Sequence, residues 1–313
     1  MRIAVAGVGG LAATLLDALS ESNHEIVAVI QNGRRTRGWA RAWLRLTARI
    51  GSPKLSALSF ALRNGIPVLW LDRMDEEELA PLRRVEPDLL LVGGFSIILK
   101  KPILDLPKIG CVNTHSSLLP KHRGPNPFSA VVLANETESG VTFHVVDEGV
   151  DTGDIIEQVR FSLGPRETSF SVHKKACRAA AAHVAQVMDR IEAEGLKGTP
   201  QDHAAATYDS KLEGEALHVV WDTSAGEIER LTRGCQNPRP WFTHRGKKVR
   251  LVRVRARNDS HEAPPGTILL LKPRLTVAAG KGTIEVVFAY AKRPVPWLWP
   301  AFWNRVAVGD ILD

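Results

Sequence analysis

Five short apolar runs, at Arg2 to Ala6, Ile26 to Ile30 and residues 66–71, 88–92 and 109–113, are separated by segments with helical periodicity or turn residues. Strands that recur in this way, each followed by a helix or turn, predict an α/β domain built on a mostly parallel sheet. The first run enters Gly7-Val-Gly9-Gly10 and then an apolar-periodic stretch, Leu11 to Leu19, which is the opening of a βαβ unit in a Rossmann-like domain. Further strands at Gly140 to Val146 and Ile155 to Phe161, and an Ala-rich helix over Thr168 to Ala193, extend this first domain across residues 1–194.

Glycines, a proline and mixed polar residues mark 195–215 as a linker. Residues 216–313 then read as a smaller domain. It has a helix at Ala225 to Arg233, followed by strands at Val249 to Arg257, Gly266 to Leu271, Leu275 to Ala278 and Ile284 to Ala289, the pattern of a small β-barrel or sandwich. No apolar run approaches the roughly 18–20 residues of a membrane span, and the first residues read as a buried strand and not as a leader, so a cytoplasmic protein is expected. Cys111, Cys177 and Cys235 lie far apart, form no C-x-x-C pair, and are expected to be free thiols.

The net charge of +7 and pI near 9.5 favour anionic partners, and the basic residues are clustered. Arg37, Arg41, Arg45 and Arg49 recur every four residues, while Trp39, Trp43, Leu46 and Ile50 follow i, i+4, i+7, i+11. This is a basic amphipathic helix. Its guanidinium row could track RNA phosphates, clamp a nucleotide-sugar diphosphate or lie on an anionic membrane, or the helix could simply dock by its tryptophans. Arg230 to Arg257 holds ten Lys or Arg residues and no acid. Alternation puts Arg253, Arg255 and Arg257 on one strand face, a candidate surface for an RNA backbone. The segment 294–303 carries Trp297, Trp299, Phe302 and Trp303 among three prolines, which suits burial against a domain, a base-stacking platform or a dimer contact.

Gly7, Gly9 and Ala12 fit the dinucleotide-binding spacing G-x-G-x-x-A, but the second strand ends at Gln31-Asn32 without the acid that would hold a ribose. A different set carries more chemistry. Asn113 and His115 leave the same face of one strand, and Asp151 sits in a glycine-bounded loop, Asp147-Glu-Gly-Val-Asp151-Thr-Gly153-Asp154. A carboxamide and an imidazole can share a developing oxyanion, and a carboxylate can hold the imidazole and help remove a proton from an attacking amine. The carboxylate is expected to raise the His115 pKa.

Gly110-Cys-Val-Asn113-Thr-His115-Ser-Ser-Leu-Leu-Pro120-Lys-His-Arg-Gly124 and Gly140-Val-Thr-Phe-His-Val-Val-Asp147 through Ile155 resemble the 10-formyltetrahydrofolate-dependent formyltransferase family. The resemblance implies that Asn113, His115 and Asp151 are catalytic. It implies that Ser117, Leu118, Leu119 and Pro120 help bind the folate, with Phe95, Val141 and Asp147 in the segments walling its pterin. Thr207-Tyr208-Asp-Ser-Lys211-Leu212, Trp221 to Arg233 and Asn237-Pro238-Arg-Pro240-Trp241 are similar to the linker and OB-like C-terminal domain of its methionyl-tRNA branch. The resemblance implies folate as co-substrate with no metal and a tRNA as the expected amine acceptor, and the basic segments offer Arg34, Arg35, Arg37, Arg41, Arg253 and Arg255 as its candidate contacts. The chain departs from that branch after the second strand, where Gln31-Asn-Gly-Arg34-Arg35-Thr-Arg37-Gly38 replaces a Pro-Asp-Arg-Pro-type loop. An amino sugar on a nucleotide is therefore the alternative acceptor, and a non-catalytic RNA-binding protein on the same fold is the alternative of another class.

Overall fold

A computed structural model describes residues 1–33, 39–50, 56–290 and 306–313. They form two compact units, one of Met1–Pro127, Thr137–Leu163 and Ser171–Ser210, the other of Phe128–Glu136, Gly164–Phe170 and Lys211–Asp313.

The chain runs β1 (Arg2–Ala6), α1 (Gly9–Ser20), β2 (Glu25–Asn32), α2 (Trp39–Ile50), α3 (Ala57–Arg63), β3 (Val68–Leu71), α4 (Glu76–Arg84), β4 (Leu89–Val92), α5 (Lys101–Leu104) and β5 (Gly110–His115). It continues through α6 (Pro127–Leu133), β6 (Glu138–Val145), β7 (Ile155–Ser162) and α7 (Ser169–Glu194). The first unit is built on one sheet of order β3-β2-β1-β4-β5-β6-β7. Strands β1 to β5 are parallel, and β6 and β7 are antiparallel additions. The apolar runs of β1 and β4 are buried along their lengths, as expected for strands covered on both faces. Gly7 lets β1 turn tightly into α1, since a Cβ there would stand 2.2 Å from the carbonyl oxygen of Gly93 and 2.6 Å from the Ala12 side chain. Packing thus accounts for Gly7, while Gly9 takes a left-handed φ of 71°.

Local signals set the ends of several helices. Asp75 caps α4 by accepting the N–H of Glu78, acids fill the first turn, and Arg83 and Arg84 lie in the last. The amphipathic helix forms as α2, but its tryptophans do not dock it. Trp39, Trp43 and Leu46 are exposed, while the opposite side carries buried Ala48 and the guanidinium of Arg41, 4.9 Å from the centroid of the Trp70 ring.

The second unit adds α8 (Ala225–Gly234), β8 (Trp241–His244), β9 (Lys247–Arg257), β10 (Ile268–Leu270), β11 (Leu275–Ala278) and β12 (Thr283–Tyr290). A capping box between Ser224 and Glu227 starts α8. The five strands form an antiparallel OB-like sheet of order β10-β11-β12-β9-β8 around Trp221, Ile228, Phe242, Leu251 and Ile284. On β9 the side chains of Arg253, Arg255 and Arg257 are exposed, as alternation predicts. Arg257 is neutralised by Glu285 at 3.2 Å, which leaves Arg253 and Arg255 as the more available pair. Among the described residues no helix is long and apolar enough to cross a membrane.

Candidate active site

Strand β5 places Asn113 and His115, and β6 runs antiparallel beside it with His144 opposite Asn113 and Thr142 opposite His115. Cross-strand partners share a face, so His144 joins Asn113 and His115. Asp151 comes from the loop after β6. Its backbone takes a left-handed φ of 54°, a conformation uncommon outside glycine that turns the carboxylate back toward β5.

The four side chains meet. The Asn113 amide donates to Asp151 Oδ1 at 3.2 Å and lies 3.1 Å from His144 Nε2. His115 Nδ1 and His144 Nε2 each lie 3.5 Å from the same carboxylate oxygen. Asp151 Oδ2 accepts the N–H of Gly124 at 2.9 Å. His115 is buried, and its Nε2 donates to the carbonyl of His122 at 2.9 Å, which leaves Nδ1 as the atom free to gain or lose a proton.

Burial dominates the charge state of His115. It lowers the pKa against the opposing pull of the Asp151 carboxylate, so the expectation of a raised value is corrected. A buried imidazole with one weakly aligned carboxylate at 3.5 Å gains less from attraction than it loses in hydration. For Asp151, burial pushes the carboxyl up, but the His144 contact, the charge of His115 and the Gly124 N–H outweigh it and bring the pKa down to about 2. Near neutral pH the centre therefore holds a carboxylate beside a neutral imidazole.

The loop after β5 is fastened to the sheet. Thr142 Oγ1 donates to the Ser117 carbonyl at 2.7 Å and accepts the Leu119 N–H at 3.2 Å, and Gln158 donates to the Leu119 carbonyl at 2.7 Å. Ser117 and Leu119 are buried, with Leu118 and Pro120 half-buried beside them. Phe95 is half-buried at the end of the β4 loop, and Val141 is wholly enclosed within β6. Asp147 is exposed and folds its own loop, accepting from the Gly149 N–H at 3.1 Å and the Thr152 hydroxyl at 2.6 Å. Arg41 lies on α2 at the far edge of the sheet from β6, while Arg34, Arg35, Arg37 and the tryptophans of 294–303 lie outside the described residues.

Sequence reasoning passed over three groups. His144 was readable once β5 and β6 were paired antiparallel. Gln201 and Arg123 were not, because they stand 78 residues apart and Gln201 lies 50 residues beyond Asp151. Gln201 is buried and donates to the Asp151 carbonyl at 3.0 Å and the Gly153 carbonyl at 2.7 Å, while its own oxygen accepts from buried Arg123 at 2.7 Å. The left-handed turn at Asp151 is thus held from behind by a residue of the 195–215 stretch. The thiols of Cys111 and Cys235 are pushed up by burial, to about 12 and about 11, and all three cysteines are free.

Residues 1–188 match the family model of formyl transferases, and residues 211–297 match that of the formyl transferase C-terminal domain. This chain belongs to the formyl transferase family. The methionyl-tRNA formyltransferase of Marinobacter nauticus is 33% identical to it, with 92% of this chain and 91% of that protein covered. That of Roseiflexus castenholzii is also 33% identical, covering 97% and 96%. Among solved structures, the sugar 3N-formyl transferase WlaRD, determined in the presence of dTDP and 5-N-formyl-THF, has a TM-score of 0.65 at 20% identity, covering 94% of this chain and 99% of that one. The N-formyltransferase of Helicobacter canadensis, in complex with folinic acid and dTDP-3-aminofucose, gives 0.64 at 20% identity, covering 93% and 98%. At that identity the two structures establish the shared fold. The formyltransferase described here is an enzyme of formyl transfer, and the non-catalytic reading falls away.

Proposed function

We propose that this formyltransferase moves the formyl group of 10-formyltetrahydrofolate to the amino group of methionyl-tRNA, with Asn113, His115 and Asp151 as its catalytic residues. The observation that carries the choice of acceptor is similarity to methionyl-tRNA formyltransferases over nearly the full length of both partners, second domain included. The exposed Arg253 and Arg255 on β9 agree with an RNA backbone.

The acceptor enters as a free amine and attacks the formyl carbon. Asn113 offers its amide to the oxyanion as the new C–N bond forms. Neutral His115 takes the amine proton at Nδ1, and the resulting imidazolium is stabilised by Asp151 and faces the oxyanion as a cation. Collapse of the tetrahedral intermediate breaks the bond to N10 of the folate, which takes a proton as it leaves. The Ser117 to Pro120 loop, pinned by Thr142 and Gln158, supplies a rigid wall for the donor.

A nucleotide-linked amino sugar is the second acceptor, motivated by the altered stretch at 31–38. An open cavity of about 600 Å³ is lined by Arg41 and Arg73, but also by Asp72, Glu77 and Glu78. A lining of mixed sign suits a diphosphate poorly, which favours the tRNA. Single-turnover transfer of label from 10-formyltetrahydrofolate to methionyl-initiator-tRNA, run beside a panel of amino-sugar nucleotides, decides between them. Rapid transfer to the tRNA supports the proposal, and transfer only to a sugar overturns it.

A further inference from the structure

Helix α2 is turned the opposite way from an ordinary surface helix. Amphipathic helices bury their apolar stripe and leave charge in water. Here Trp39 is 83% exposed, Trp43 61% and Leu46 56%, all on one face, while small Ala48 is buried on the other side, where the helix packs on α3 and Arg41 lies over Trp70. Two exposed tryptophans and a leucine in eight residues make a contiguous apolar face of a kind soluble surfaces rarely present without a partner.

The composition of this part of the chain says what the partner is. Residues 26–71 contain eight Lys or Arg residues and no Asp or Glu, so this stretch by itself carries more positive charge than the +7 of the whole chain. Arg45 is exposed and stands to one side of the Trp39, Trp43 and Leu46 stripe. An apolar face with tryptophans, edged by Arg45 in a stretch of chain without acids, and with Asp72, Glu77 and Glu78 gathered about the cavity on the Arg41 side, matches the boundary layer of an anionic bilayer: indole rings sit at headgroup depth and guanidinium groups reach the lipid phosphates. A nucleic acid would call for the reverse arrangement, with the basic side outward, whereas Arg41 is half-buried against Trp70. A protein partner of ordinary composition finds no acidic residue in this stretch with which to pair its own lysines and arginines.

We propose that α2 is a membrane-surface anchor that lays Trp39, Trp43 and Leu46 into the interface of an anionic bilayer. The helix lies on the bilayer and does not span it.

The test is flotation of the full chain with vesicles of phosphatidylcholine alone and of phosphatidylcholine with about one-third phosphatidylglycerol. The wild-type protein is expected to float with the anionic vesicles and not with the neutral ones, with a blue shift of tryptophan emission. Trp39→Ser with Trp43→Ser should abolish flotation, and Arg45→Gln should weaken it about fivefold. Because both indoles are exposed, the double variant should melt as the wild type does and keep its formyl transfer to a soluble acceptor. Absence of flotation overturns the proposal. So does undiminished flotation of the double variant, which would assign binding to another segment. A double variant that floats normally but loses affinity for tRNA would make this face an RNA contact instead.

Discussion

Replacing Asp151 by Asn separates the charge of this residue from its shape. Asn tolerates the left-handed φ of 54° about as well as Asp, so the backbone should keep its turn. One side-chain oxygen remains for the Gly124 N–H, but the amide that replaces the other oxygen faces the Asn113 amide, donor against donor. A carboxyl held at about 2 in the folded chain, against an ordinary 3.8, contributes about 2 kcal/mol to stability at neutral pH. The folded value lies below the unfolded one. That stabilisation is therefore complete above 3.8 and is lost as pH falls toward about 2. Asp151→Asn should cost about 2 kcal/mol in urea unfolding at neutral pH, with the gap to wild type shrinking below about pH 4. Single-turnover formyl transfer should fall roughly 10²–10⁴-fold, the range for a lost acid–base partner, with little change in folate affinity. Equal turnover in the variant would remove Asp151 from the mechanism. A stability gap that stays constant down to acid pH would refute the electrostatic account of its pKa.

Four other variants probe the same reading. His115→Ala should abolish transfer while RNA binding persists, and the wild-type kcat/KM profile should show its acid limb below 6.5, since burial lowers this imidazole; a limb above 6.5 would mean that the carboxylate wins. Gln201→Leu leaves two carbonyls and part of a buried guanidinium without their partner and should destabilise by about 1–3 kcal/mol in a melt. Gln201→Glu keeps an acceptor for Arg123 but turns a carboxylate on the Asp151 carbonyl, so kcat should drop with KM unchanged; a wild-type kcat in both variants would show that the Asp151 turn holds itself. Arg253→Ala with Arg255→Ala should weaken a tRNA acceptor, reduce the salt slope of binding by about two and leave transfer to a small amine untouched; an unchanged slope would take β9 out of the interface.

Much of the centre was readable because it is local. Asn113 and His115 are two residues apart, and a strand's period of two puts them on one face whatever surrounds it. Asp151 is separated from them by one strand and one turn, within reach of a motif. His144 follows as soon as β5 and β6 are set side by side. Gln201 and Arg123 are different in kind: an amide 50 residues beyond Asp151 holds the carbonyl of that turn, and no spacing in the chain announces it. Their pairing exists because residues 199–209 run back along β7 and the loop after β5, with bridges from Thr199 to Ile155 and from Tyr208 to Arg123.

The alternation of strands and helices, the shared face of Asn113 and His115 and the two faces of α2 are legible in the chain alone, since each follows from backbone geometry within a single element. Tertiary structure decided the charge of His115 and the outward side of α2. Desolvation depends on everything packed around the ring, so a neighbouring carboxylate could be read from the motif while the burial that outweighs it could not. Periodicity likewise defines an apolar and a basic side of a helix, but the surface it rests on, here α3 and the ring of Trp70, selects which side is turned to water.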